Sequence, residues 1–475
     1  MKSVYEYLQE DKVKWRDLPY ISVKTDGRFA ARTFGEVIAD AEALARGLIL
    51  EGVGGNVMLY SPNSYYWAVA DLAVLGYVGA IVPINSEWTA FDIERTLSVI
   101  EVGAILYSAD KQKEIDELQK KCPELHFVCI ESEFPRLIQK GQQSTLELVG
   151  NTDMHIPTMI LFTSGTTNRP KAIPLTMYNL LYNWDALYSR TPMSVEDVSY
   201  IFLPFSHVYA GVANFLYTLI SGMQVFLCSD KTKIAEEMIE VRPTIVCTVP
   251  LILMRLRTAM TDELMDCLRN VRFLYCGGSF TDPETKRFFI DSGVRLLEAY
   301  GTTETSSVIT LARPDDSDIA SNGTILDGLD VRVFEPDENG IGEIIVGGGS
   351  VFAGYISRGE NYGEVDSEGF YHTGDLGYID EERRLFLKGR KRRMMISANG
   401  ENVYLDEIEA LIMENEQIKS AAVFEEDHHL SARIYTDIPE GEALEYIEKI
   451  NENLPKFKKI KCVYVKSETN GGRLK

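Results

Sequence analysis

Residues Tyr65–Ile84, YYWAVADLAVLGYVGAIVPI, decide between two architectures. The run is long and apolar enough to suggest a membrane span. It contains Asp71, however, is interrupted by Gly76 and Gly79, and closes on the β-branched IVPI, so it reads as a buried helix, a tight turn and a buried strand. Upstream, Thr33-Phe34-Gly35-Glu36 has the form of a helix N-cap with Glu three residues on, followed by the periodic VIADAEALARGLILEG. Downstream, helical patterns alternate with the short apolar runs AILYS, FVCI, MILF, YIFL, QVFL, TIVCTV and RFLYCG. That rhythm predicts an α/β fold with largely parallel sheets covered on both faces.

From about Gly323 the pattern changes to short strands broken by Gly, Asp and Asn, which fits a small antiparallel or barrel-like β unit. Beyond the basic cluster Arg390–Arg393, helix and strand alternate again, as in YLDEIEALIMENE and SARIYTD. The expected organisation is a large N-terminal domain of layered αβ sheets over residues 1–390 and a small α+β C-terminal lobe over 391–475.

The 475 residues are 45% apolar and 25% charged, a composition that excludes disorder, and their length calls for more than one domain. A net charge of -23 disfavours docking on nucleic acid or anionic lipid through a general basic surface, so no nucleic-acid partner and no stable membrane insertion are expected. Phosphate must be met by a local site. Seven scattered cysteines without a Cys-x-x-Cys, and an N-terminus lacking the basic-then-apolar order of a signal peptide, fit a reduced, cytoplasmic protein.

Three clusters carry chemistry. In Ile160-Leu-Phe-Thr-Ser-Gly-Thr-Thr-Asn-Arg-Pro-Lys171 a buried strand delivers the hydroxyls of Thr163, Ser164, Thr166 and Thr167, with Gly165 and Lys171, into a loop suited to polyphosphate. It does not match the G-x-x-x-x-G-K-[ST] phosphate loop, and taken alone an ordinary Ser/Thr turn explains it equally well. Tyr300-Gly301-Thr302-Thr303-Glu304 follows an apolar strand, with the turn Gly277-Gly278-Ser279 some twenty residues earlier. An aromatic face, hydroxyls and a carboxylate at a strand's carboxyl end can serve purine, phosphate and Mg²⁺. In His372-Thr-Gly-Asp375 an acceptor-only carboxylate in a turn suits two ribose hydroxyls, although a solvated turn is the simpler explanation if it stands alone.

Taken in order, with Gly389-Arg390-Lys391-Arg392-Arg393 after them, these clusters resemble the adenylate-forming superfamily of acyl-CoA synthetases, peptide-synthetase adenylation domains and luciferases. The resemblance covers nearly the whole chain and includes Ser61-Pro-Asn-Ser64, Val82-Pro-Ile-Asn85, Phe202-Leu-Pro-Phe-Ser-His207, Gly342-Glu-Ile-Ile-Val346, Gly354-Tyr355 and Asn399-Gly-Glu-Asn-Val-Tyr404. The SHV, VPLIL and SANGENVYLDEIE segments look most like fatty-acyl-CoA synthetases.

The resemblance implies that a carboxylate attacks the α-phosphate of Mg·ATP, pyrophosphate leaves, and a thiol displaces AMP from the acyl-adenylate. It implies that the loop from Thr163 through Ser164, Gly165, Thr166 and Thr167 to Lys171 cradles the β- and γ-phosphates. Thr303, beside Gly301 and Thr302, would touch the α-phosphate, and Glu304 would bind Mg²⁺. Tyr300 with Gly277, Gly278 and Ser279 would line the adenine, while Asp375 and Arg390 would hold the ribose. The resemblance places His207 at the mouth of an acyl pocket, while a lone His on an apolar run is equally a satisfied core residue; Met and aromatic residues around Tyr209 to Met223 can line an acyl tunnel, though such stripes are more often plain core. The small lobe is implied to pivot at Arg392, bringing Gly400 beside the pantetheine channel; the bland alternative is that 390–393 is a solvated charge run.

Three positions depart from the family pattern: Asn168 and Ala172 replace glycines, and Arg473 stands where a catalytic lysine is usual, with Lys475 two residues on. Three functions follow. The first is an acid–thiol ligase making acyl-CoA from a medium- or long-chain fatty acid, with ATP, Mg²⁺ and coenzyme A. The second loads the phosphopantetheine of an acyl carrier protein instead. The third is a degenerate nucleotide- or acyl-binding protein with weak turnover. A homodimer is compatible with any of them.

Overall fold

The computed structural model describes residues 1–163, 170–313, 319–357, 360–362, 365–396, 402–415, 417–426, 429–454 and 458–466. They form two compact units, one of residues 1–330 with 346–371 and one of residues 331–345 with 372–475.

The first unit holds two large sheets. One runs in the spatial order Glu360–Tyr362, Tyr355–Ser357, Lys171–Thr176, Pro157–Thr163, Gly79–Pro83, Gly55–Tyr60, Ala104–Tyr107, His126–Cys129. Its strands are parallel from Pro157–Thr163 to His126–Cys129, and antiparallel pairs extend the other edge. Met58, Val82, Ile105 and Ile160 of these strands pack with Ile93 and Ile115 from the covering helices into one apolar cluster. The second sheet centres on the parallel strands Leu296–Tyr300, Phe273–Cys276, Ile245–Thr248, Val198–Ile201, Gln224–Leu227 and Pro19–Thr25, and antiparallel pairs close both edges.

Tyr65–Ile84 folds as a buried helix, Tyr65–Ala73, and a buried strand, Gly79–Pro83. The connection differs from a tight turn: the helix passes through Gly76 as a π-helical turn, Val74–Val78, and ends only at Gly79. A side chain at Gly79 would place its Cβ 2.0 Å from the Gly55 carbonyl oxygen of the neighbouring strand, so only glycine permits that pairing. Among the described residues no helix is long and apolar enough to cross a membrane. The helix buries Trp67 against Phe205 and Phe215, with ring centroids 4.7 and 6.3 Å away. Removing such a ring costs about 3–5 kcal/mol. The helix Phe34–Leu50 begins with a capping box, in which the Glu36 amide donates to Thr33 Oγ1 (3.2 Å) and the Thr33 amide to Glu36 Oε2 (2.8 Å).

In the second unit the short strands after Gly323 form an open four-stranded sheet rather than a closed barrel, in the order Asp330–Phe334, Gly342–Gly347, Tyr371–Ile379, Leu385–Arg390. A further sheet sets Ile418–Glu426 antiparallel, and Ile460–Lys466 parallel, to the central His429–Thr436. Helices Leu405–Met413 and Glu440–Asn453 supply Ile408, Ile412 and Ile447 to its core.

Candidate active site

In the first unit, the predicted nucleotide residues gather where parallel strands end, the usual ligand position in α/β sheets. Thr163 ends one strand and pairs in register with Lys171, which begins the next. Gly277 to Ser279 follow Phe273–Cys276, and Tyr300 closes the adjacent parallel strand. Gly301 lets the chain fold back on itself, since a Cβ there would lie 1.6 Å from the Ser307 carbonyl oxygen. Thr303–Thr305 then form one 3-10 turn, which directs Glu304 inward, 7% exposed.

One buried phenol ties these pieces together. Tyr355 donates a 2.8 Å hydrogen bond to Glu304 Oε1, and the Lys171 ammonium sits 4.3 Å from the centre of the same ring. Its strand, Tyr355–Ser357, pairs with Lys171–Thr176, and the Phe352 ring packs edge-on at 4.9 Å. Burial, then the Glu304 carboxylate, push the Tyr355 pKa up, which keeps the phenol a donor.

Amide side chains hold the surrounding backbone. Asn179 Nδ2 donates to the carbonyls of Gly349 (2.8 Å) and Val351 (3.0 Å), while Asn183 donates to the Val308 carbonyl (2.6 Å) and accepts from its N–H (3.2 Å). Asn63, from the Ser61–Ser64 segment, grips the loop before His207 by donating to the Leu203 carbonyl (2.8 Å) and accepting from the Phe205 amide (2.9 Å). His207 is exposed as a residue, and partial desolvation draws its pKa below the ordinary value.

His207 leads into a π-helix, Tyr209–Leu216, that forms one wall of a narrow cavity. Ala213, Cys247, Tyr275, Ala299 and Val308 line it with Tyr209, and it has room for about one water molecule. The hydroxyls of Tyr209 and Tyr275 are buried and lack hydrogen-bond partners.

In the second unit Asp375 lies within the strand Tyr371–Ile379, not in a turn, and is 4% exposed. Arg390, opposite it in register, contacts Asp375 Oδ1 through Nε at 2.6 Å. Nearby, desolvation of the Glu343 carboxyl is outweighed by Lys391 and His372, which hold its pKa low. Lys391–Arg393 form a 3-10 turn. Ser164, Gly165, Thr166, Thr167, Asn168, Gly400, Arg473 and Lys475 lie outside the described residues. Sequence reasoning passed over Tyr355 as a site residue; Asn179, Asn183 and Arg190 were also missed, although their spacing of four and seven places them on one helix face.

The profile of the family described as AMP-binding enzyme matches residues 9–356. The chain belongs to that family. The long-chain-fatty-acid–CoA ligase heimdall of Drosophila melanogaster is 27% identical over 513 residues, covering 90% of this chain and 75% of the relative. The 2-succinylbenzoate–CoA ligase of Bacillus pumilus is 31% identical over 297 residues, 60% of each chain. In fold, the chain matches O-succinylbenzoate coenzyme A synthetase (MenE) of Bacillus subtilis in complex with AMP at a TM-score of 0.84 and 22% identity, covering 97% of this chain and 94% of that one. By family and relatives this AMP-binding enzyme is an AMP-forming acid–thiol ligase.

Proposed function

We propose that this AMP-binding enzyme joins a carboxylic acid to the α-phosphate of ATP, releasing pyrophosphate, and then passes the acyl group to the thiol of coenzyme A, releasing AMP. The observation that carries this reading is the cation and the buried carboxylate held on one phenol, Lys171 and Glu304 on Tyr355, where the strands end.

A carboxylate resists nucleophiles because of its charge, and conversion to a mixed anhydride supplies a leaving group. Charge then builds on the phosphoryl oxygens and on pyrophosphate, so fixed donors there lower the barrier. In this reading Lys171 and the loop from Thr163 meet the β- and γ-phosphates and Thr303 meets the α-phosphate. Tyr300 and Gly277–Ser279 take the adenine, and Asp375 with Arg390 takes the ribose. Among the described residues no group of three or more His, Cys, Asp or Glu could hold a metal ion. A single carboxylate, Glu304, suits Mg²⁺, which keeps several waters and binds substrate phosphates. When bound, Mg²⁺ supplies positive charge against the phosphate oxygens. Glu304 orients that partner, and Tyr355 orients Glu304. In the same reading Arg392 is the pivot of the small lobe, and Gly400 comes beside the pantetheine channel.

Mass spectrometry of products from Mg·ATP, a mixed acid panel and coenzyme A tests the reading. Acyl-CoA with AMP is expected. Accumulated acyl-AMP with free coenzyme A would move the acceptor to a carrier protein, and untouched ATP with every acid would sink the ligase reading. Fatty acids of medium or long chain remain the substrates suggested by the SHV, VPLIL and SANGENVYLDEIE segments. The names of the relatives point both to fatty acids and to 2-succinylbenzoate.

A further inference from the structure

The two segments assigned to adenine start from one register position. Cys276 and Glu298 are paired on neighbouring parallel strands; Gly277 opens the turn after the first, and Ala299 and Tyr300 complete the second. The backbones run close together there, since a Cβ on Gly277 would lie 2.8 Å from the Ala299 carbonyl oxygen. Side chains alternate across a strand, so Glu298 and Tyr300 leave the same face of theirs.

Glu298 meets the helix that follows the turn. That helix, Pro283–Asp291, is capped by Asp282, whose Oδ1 accepts from the Thr285 amide at 2.7 Å, and Lys286 is the next residue. Lys286 and Glu298 are both buried and form an ion pair between Nζ and Oε2. Lys286 Nζ also donates to the Ile319 carbonyl at 3.0 Å, and Asn322 Nδ2 donates to Glu298 Oε1 at 2.9 Å. The Asn322 carbonyl accepts from Thr310 Oγ1, and Thr310 is the register partner of Tyr300. One polar network thus joins the helix after the turn, the strand that ends in Tyr300 and the segment 319–322.

A buried ion pair is a poor source of stability, because desolvation offsets most of the attraction and apolar side chains of similar volume often hold a fold as well or better. What it adds is direction, since hydrogen-bonded charges accept few placements of their partners. We propose that Lys286 and Glu298 are positioning residues for the nucleotide: their bond fixes the separation between the Gly277–Ser279 turn and Tyr300, and with it the width of the slot that takes the purine. The inference rests on the adenine assignment within the ligase reading. It confines the effect of the pair to the adenosine part of the nucleotide, because Lys171 and Thr163, assigned to the phosphates, belong to the other large sheet.

The test compares wild type with the double variant Lys286→Met, Glu298→Leu, which replaces both charges by apolar groups, and with Asn322→Ala, which removes one arm of the network. Melting temperature reports folding, titration calorimetry gives Kd for AMP and for inorganic tripolyphosphate, and ATP–pyrophosphate exchange gives kcat and KM for ATP. In the double variant the AMP Kd and the KM for ATP are expected to rise about tenfold, while the tripolyphosphate Kd, kcat at saturating ATP and the melting temperature stay close to wild type. Asn322→Ala should raise the same two quantities by a smaller factor. A pair that serves only the fold would lower the melting temperature and the amount of active enzyme and leave the AMP Kd and KM unchanged. That result overturns the proposal, as does equal weakening of AMP and tripolyphosphate. If the double variant does not fold, Asn322→Ala decides by the same quantities. If no acid supports exchange, the ligase reading fails on its own and the AMP titrations still decide the role of the pair; wild-type protein that does not bind AMP overturns the slot itself.

Discussion

Tyr355 acts on two candidate catalytic groups at once, through its hydroxyl on Glu304 and through its ring face under Lys171. Substitution separates these contacts. Tyr355→Phe keeps the ring and removes one bond to a carboxylate, typically about 1.5–3 kcal/mol, so kcat is expected to fall about 10- to 100-fold. The Mg²⁺ concentration for half-maximal rate should rise with it, a shift that loss of packing alone would not produce. Tyr355→Leu, which also removes the cation–π contact, should be worse. A second residue-scale expectation concerns Asp71, buried in the helix Tyr65–Ala73 with neither carboxylate oxygen bonded. Desolvation raises its pKa from 3.8 to about 8. The folded protein therefore keeps a proton that the unfolded chain has lost above about pH 4. The stability this contributes is full below pH 4 and is lost as pH rises toward 8, at about 1.4 kcal/mol per pH unit. Asp71→Asn should flatten the fall in melting temperature between pH 5 and 8, and equal slopes in the two proteins would refute it.

The helix Met177–Arg190 is the element that braces the site. Asn179 and Asn183 reach the backbone of the loops at Gly349–Val351 and at Val308, and Arg190 Nη1 reaches the carbonyls of Leu311 (3.2 Å) and Thr324 (3.0 Å). Asn183→Ala would leave the Val308 N–H and C=O unpaired in a buried position, and a destabilisation of about 2–4 kcal/mol is expected in urea melts. The strands were legible because parallel sheets covered on both faces write continuous apolar runs, as in AILY and FLYC. The hairpin Pro19–Thr25 with Arg28–Thr33 was not, because its second strand is largely exposed and carries charge, which erases the apolar pattern. Its one signal was Asp26-Gly27, whose positive φ values of 50° and 77° suit a tight hairpin turn. Site motifs were legible where consecutive residues share a loop. The Tyr355–Glu304 bond and the Asn63 grip on the His207 loop join distant segments, and no local spacing reports such pairs.

At the scale of the molecule, the candidate site residues are divided between two units, phosphate and adenine residues in the first and the Asp375–Arg390 pair in the second. Arg473 stands in the chain's last segment where the family pattern has lysine. Arginine keeps the charge but presents a broad planar fork in place of a compact ammonium. Arg473→Lys is therefore expected to raise ATP–pyrophosphate exchange about tenfold and Arg473→Ala to depress it, while acyl-CoA formation from supplied acyl-AMP stays unchanged in both. Exchange indifferent to either substitution would remove Arg473 from the first half-reaction.

The π-helix Tyr209–Leu216 carries one more residue per turn's hydrogen bond than an α-helix does. Its far end is anchored in the core, where Phe215 packs on Trp67 and Phe205. Deleting a single residue would let the segment relax to α-helix and rotate the near end, with Tyr209, by about 100° against that anchor. A change in chain length of one residue would thus exchange the side chains facing the cavity while the core stays put, a route to a differently shaped pocket that needs no new fold.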